Sequence, residues 1–123
     1  MSSRTPEIRY LAVTFDCPDP AALAHFYSEA LDIPVTVSTD GFVLLAREGA
    51  PGIGFYRVDD YTPPTWPSSS VQKQAHLDLG VDDLDAGQAR LVALGAAVAD
   101  VQPLPQRRRI LFDPAGHPFC ITL

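Results

Sequence analysis

Two stretches of this chain alternate apolar and polar residues with period two. They are YLAVTFD from Tyr10 to Asp16 and AHLDLGV from Ala75 to Val81. Such alternation predicts a half-buried strand at each place. A helical pattern follows each. In the first, Asp19 suits the N-cap and Pro20 the first helical position. Leu23, Phe26, Tyr27, Ala30 and Leu31 then fall on one helical face, and Pro34 ends the run. The second helix is expected to start near Asp83 or Asp85 and end at Gly95, with a thinner stripe of Leu84, Leu91 and Leu94. GFVLLARE and GIGFYRV flank Ala50-Pro51-Gly52, and RRRILF and HPFCITL flank DPAG. Both pairs read as antiparallel hairpins.

These elements come twice in the same order. A shift of 64 places Asp19 on Asp83, and a shift of 63 places Leu31 on Leu94 and Val35 on Val98. Each half is strand–helix–strand–strand–strand, with the first strand after the helix the weakest. The reading is one α+β domain over residues 1–123: module 1 at about 8–58, a Pro/Ser-rich connector at about 59–74, and module 2 at about 75–123. Neither module can bury a sheet face alone. The expected solution is two tandem βαβββ modules forming a curled mixed β-sheet around a cleft, with helices outside.

Composition narrows the function. The chain has 123 residues, 46% of them apolar, which suffices for a real core. A net charge of −6 excludes an ordinary nucleic-acid binder. No apolar run is long enough for a membrane span, and the N-terminus lacks the basic-then-apolar pattern of a signal peptide. Cys17 and Cys120 make no disulfide framework, so a cytoplasmic protein is expected.

The ordered set of FDCPDPAALAHFYSEALDI, HLDLGVDDL and LFDPAGHPFCITL resembles the vicinal oxygen chelate superfamily, which includes glyoxalase I, bleomycin-resistance proteins and extradiol dioxygenases. The resemblance covers roughly Ile8 to Leu123. In metal-dependent members each module gives one ligand from its first strand and one carboxylate from its last strand. Carried over, the first-strand positions fall on Ala12 and His76. The last-strand positions fall on or near Tyr56 and on Cys120, where a glutamate is usual. Of these only His76 matches. The resemblance therefore implies no metal centre here, with a divalent metal at His76 as the less favoured alternative. It also implies a homodimer.

Alternation lists the cleft lining. If His76 points inward, so does Asp78, where it would fix the imidazole tautomer. By the module match Ala12, Thr14 and Asp16 line the cleft too. If DPAG is a four-residue connection, Ile110 opposes Phe119 and Arg108 opposes Ile121, which puts Arg107, Arg109, Leu111, Cys120 and Thr122 on the cleft side. Arg109 would then lower the Cys120 pKa and favour an anionic ligand. His25 is expected to face solvent and His117 to be structural. Trp66 is either a lid over the cleft or a dimer contact.

Three functions fit. The first is a metal-free protein that binds a small organic molecule, an anion where Arg109 sets the preference, such as a resistance-type sequestering protein. The second is a lyase, isomerase or dioxygenase using His76 as base or ligand and Tyr56 or Cys120 as acid or nucleophile. The third is an interaction module with a vestigial cleft.

Overall fold

The computed structural model describes residues 5–123. Module 1 comprises β1 (Ala12–Cys17), α1 (Pro20–Leu31), β2 (Val35–Ser38), β3 (Phe42–Leu45) and β4 (Gly52–Arg57). Module 2 comprises β5 (Asp78–Gly80), α2 (Leu84–Leu94), β6 (Ala97–Val98), β7 (Arg108–Phe112) and β8 (Pro118–Thr122). The sheets are ordered β1-β4-β3-β2 and β5-β8-β7-β6, so the internal repeat is a repeat of topology. In each, the first strand pairs parallel to the last and the other pairings are antiparallel. The sheets are two separate four-stranded sheets, not one curled surface.

Local chemistry explains the helices. The Asp19 and Asp83 carboxylates accept the N–H groups of Ala22 at 3.2 Å and Ala86 at 3.0 Å, which satisfies one free donor at each N-terminus. Asp32 ends α1 in a left-handed conformation, and Gly95 ends α2 with φ +122°. The first strand after each helix is the weak one: β2 is exposed throughout and irregular in register, and β6 has two residues.

A single apolar core runs through both modules. Leu23, Phe26 and Tyr27 of α1 pack with Phe55 of β4 and, across the module boundary, with Leu111, Phe119 and Ile121. The Tyr27 ring stacks on Phe55 at 5.6 Å and meets Phe119 edge-on at 6.3 Å. A polar bond crosses the same boundary: the Tyr27 hydroxyl donates to Asp113 Oδ2 at 2.6 Å. Asp113 Oδ1 accepts the N–H groups of Ala115 at 2.9 Å and His117 at 3.0 Å. The carboxylate is thus buried but fully partnered, as a buried charge requires. Burial still raises the Asp113 pKa above the ordinary carboxyl value, and it pushes the Tyr27 phenol up as well.

Candidate functional site

The turn held by Asp113 sets the register of the last hairpin. Asp113 N–H donates to the His117 carbonyl at 3.0 Å, and Gly116, at φ +88°, donates to the Asp113 carbonyl at 2.8 Å. The connection therefore runs over five residues, Asp113 to His117, and Phe112 pairs with Pro118. This corrects the four-residue turn expected from DPAG. Ile110 opposes Cys120 and Arg108 opposes Thr122, so the two faces of β7 exchange places while those of β8 stay.

Arg109 consequently leaves the cleft. Its Nη1 donates to Asp85 Oδ1 at 2.7 Å and to Gln88 Oε1 at 3.3 Å, and its Nε donates to the Pro105 carbonyl at 3.1 Å. It ties β7 to the start of α2. Arg107 precedes the strand, is exposed, and lines neither of the two cavities described below. Leu111 is fully buried in the core. Arg108 takes the place expected of Arg109.

On that face of module 2 lies a cavity of about 250 Å³. Ile110, Leu104, Pro118 and Trp66 form its apolar walls, and Lys73, His76, Arg108 and Cys120 supply its polar groups. Trp66 also packs against the small cluster of Ala99, Ile110 and Cys120. The loop carrying it is closed by the Thr65 hydroxyl, which donates to the Ser68 carbonyl at 2.7 Å and accepts from Val71 N–H at 3.1 Å. His76 Nε2 lies 3.2 Å from Asp78 Oδ1, and Asp78 stands beside Cys120 in the parallel register. Burial raises the Cys120 pKa, Asp78 adds to the rise, and Arg108 and Lys73 oppose it. Burial is the largest of these influences, so the Cys120 thiol is pushed up, opposite to the lowering expected next to an arginine.

Thr14 and Asp16 line a different cavity, of about 420 Å³, between β1, the connector and His117. Lys73 borders both. His117 borders this cavity too: its Nε2 lies 2.7 Å from the Asp16 carbonyl and its ring meets Phe15 at 5.2 Å. His25 is exposed. Tyr56 is 54% exposed and lines neither cavity. Lys73 and Arg108 are the site residues that sequence reasoning missed. Arg108 was legible in the QRRR run, one position away, whereas nothing marks Lys73 within the connector.

The strand registers also test the four-ligand metal pattern. In module 2, Asp78 lies opposite Cys120, and Cys120 N–H donates to the Leu77 carbonyl. With the two N-caps superposed, Asp78 corresponds to Thr14, and the residue opposite Thr14 is Gly54. The position matching Cys120 is therefore Gly54 and not Tyr56. Module 1 offers Ala12 and Gly54, neither with a side-chain donor, so a centre shared between modules does not fit this chain.

The comparisons with known proteins agree with this architecture. A structure from Burkholderia phytofirmans, described as a glyoxalase/bleomycin resistance protein/dioxygenase family enzyme, is similar over 93% of this chain and 97% of its own, with TM-score 0.72 and 18% identity. Lactoylglutathione lyase from Agrobacterium tumefaciens is similar over 96% and 95%, with TM-score 0.61 and 19% identity. The bleomycin-binding protein of Streptomyces verticillus, solved with copper(II)-bleomycin, is similar over 96% and 98%, with TM-score 0.59 and 17% identity. No curated protein matches the chain. At these identities the structures speak for the fold. The family model described as a glyoxalase-like domain matches residues 12–122. With that match spanning both modules, the chain belongs to the glyoxalase-like domain family.

Proposed function

We propose that the protein binds a small organic anion in the module 2 cavity, held by side chains and not by a metal shared between modules. The observation that carries this reading is the pairing of apolar walls with two cationic groups, Arg108 and Lys73, at one cavity of ligand size. Arginine's planar fork suits a carboxylate or phosphate, and Trp66, Leu104 and Ile110 suit the apolar remainder. The bleomycin-binding neighbour supports sequestration as the biological use. The free thiols fit a reducing compartment, the cytoplasm. No helix among the described residues is long and apolar enough to cross a membrane.

A thermal-shift series with benzoate, phenyl phosphate, benzyl alcohol and benzylamine tests the reading. The two anions should raise the unfolding temperature, and Arg108→Ala should remove most of the rise. Stabilisation by benzylamine alone, or none by any compound, would count against an anion site. The second outcome would favour an interaction module instead.

His76 backed by Asp78 at 3.2 Å supports a second reading, in which His76 is a general base acting on the bound anion. Turnover lost in His76→Asn with binding retained would select it. We also propose a homodimer: Val35, Val37 and Tyr56 leave module 1 with exposed apolar groups. Sedimentation should give twice the chain mass of 13.3 kDa.

A further inference from the structure

The cavity of about 420 Å³ beside β1 plays no part in the anion reading, and backbone shapes it as much as side chains do. Residues 13–16 of β1 border it in an unbroken run. Strand side chains alternate between two faces, so such a run can border one cavity only along the edge of the strand. β1 is an edge strand of its sheet. The far wall is an unbroken run of the connector, residues 71–75, which lies in no strand. Side-chain bonds hold the connector in place: Val71 N–H donates to Thr65 Oγ1 at 3.1 Å, and the Tyr61 hydroxyl donates to the Ala115 carbonyl at 2.9 Å.

The strand register shows which backbone groups enter this slot. The Leu11 and Cys17 carbonyls accept the N–H groups of Gly52 and Val58. Odd-numbered residues of β1 therefore turn N–H and C=O toward β4, and even-numbered ones turn theirs outward. The Asp16 carbonyl agrees with this, lying 2.7 Å from His117 Nε2. A carbonyl only accepts, so His117 donates from Nε2. Left over are the Thr14 carbonyl and the Asp16 N–H, an acceptor and a donor that point the same way. No described residue bonds either one.

We propose that this edge binds a planar nitrogen heterocycle with an amino group beside a ring nitrogen, of the aminopyrimidine or adenine kind. Its amino group donates to the Thr14 carbonyl, and its ring nitrogen accepts from the Asp16 N–H. Val58, Pro64 and Val71 supply apolar surface for the ring, in a cavity of small-molecule size. Charge narrows the class. Asp16 and Asp60 line the slot against a single lysine, Lys73, so a phosphate is disfavoured and the ligand is a free base or nucleoside. The site is separate from the anion cavity of module 2, with which it shares only Lys73.

The test is a titration of the full chain with adenine, followed by ¹⁵N–¹H spectra. The Asp16 amide should move downfield and saturate at millimolar adenine. N6,N6-dimethyladenine, which has no amino hydrogen for the Thr14 carbonyl, should bind at least ~10-fold more weakly, the factor one lost hydrogen bond carries. AMP should bind more weakly than adenosine. Ala75→Phe, at an exposed position of the far wall, should fill the slot and abolish the shift. Arg108→Ala should leave adenine binding unchanged, which separates this site from the anion site. A still Asp16 amide, equal binding of N6,N6-dimethyladenine, a preference for AMP, or loss of adenine binding in Arg108→Ala would overturn the proposal. An Asp16 amide that moves with protein concentration and not with adenine would assign the edge to a second copy, and overturn it too. Should Ala75→Phe fail to fold, the analogue series on the unsubstituted protein decides in its place.

Discussion

Removing one hydroxyl, in Tyr27→Phe, should destabilise the protein by an amount that depends on pH. The Tyr27 hydroxyl lies 2.6 Å from the carboxylate of Asp113, which is only 5% exposed. A hydrogen bond to a charged group contributes about 1.5–3 kcal/mol, and one between neutral groups about 1 kcal/mol. Asp113 keeps its two backbone donors in the variant, so about 2–3 kcal/mol is expected while it is ionised. At ~2.1 cal/mol/K per residue, 123 residues give an unfolding entropy near 0.26 kcal/mol/K, so that loss lowers the unfolding temperature by ~8–12 °C. The sign of the pH effect follows from the raised Asp113 pKa, which burial causes. From about 3.9, the unfolded carboxyl value, up to the raised folded value, the native state holds a proton that the unfolded chain has released. Stability therefore falls as pH rises through that window. Losing the Tyr27 donor raises the folded pKa further, and so widens the window. The cost of Tyr27→Phe should be about 1 kcal/mol near pH 4 and about 2–3 kcal/mol near pH 8. Paired urea unfolding curves at the two pH values measure it. Equal costs would refute an ionised, Tyr27-stabilised Asp113.

Neighbouring arginines should behave oppositely. Arg109→Ala, which cuts the ties to Asp85, Gln88 and Pro105, should cost about 1 kcal/mol in chemical unfolding and leave phenyl phosphate binding unchanged. Arg108→Ala, at an exposed position, should stay within about 0.5 kcal/mol of the unsubstituted protein and lose that binding by calorimetry. Gly54→Ala puts a Cβ 2.6 Å from Thr14 Oγ1 and 2.9 Å from the Phe42 ring, and should cost about 1–3 kcal/mol by thermal unfolding. Thr14→Ala in the same chain should recover part of that loss.

The helices were legible because their signals are local. An aspartate cap and an apolar stripe fix α1 and α2 within the segments that carry them. The faces of β8 were legible from alternation alone, with Cys120 toward the cavity and Phe119 and Ile121 toward the core. The faces of β7 were not, because its register depends on a side chain in the turn. Asp113 binds the N–H groups of Ala115 and His117, and draws His117 into the connection. Turn composition gives the likelihood of a turn and not its length, and one residue moves every β7 side chain to the other face. Lys73 was illegible for another reason: it reaches the cavity from an irregular connector, where no periodicity assigns a direction.

Two modules of one topology have thus diverged in the length of the segments between their paired strands and in the residues that stand opposite one another. The first strand of module 1 pairs with its last strand at an offset of 40 residues, Ala12 with Gly52, whereas module 2 uses 42, Asp78 with Cys120. The two extra residues of module 2 lie in the segments between its paired strands, so each module keeps the same parallel pairing and still buries one side of its sheet. What changes is which pair of side chains stands together. In module 1 Thr14 meets Gly54, and the Phe42 ring fills the space a side chain there would need. In module 2 Asp78 meets Cys120, with His76 at 3.2 Å from Asp78. The topology is common to both modules while the side chains standing opposite one another differ, which is why the chain keeps the family's architecture while setting Asp78 beside Cys120 in module 2 alone.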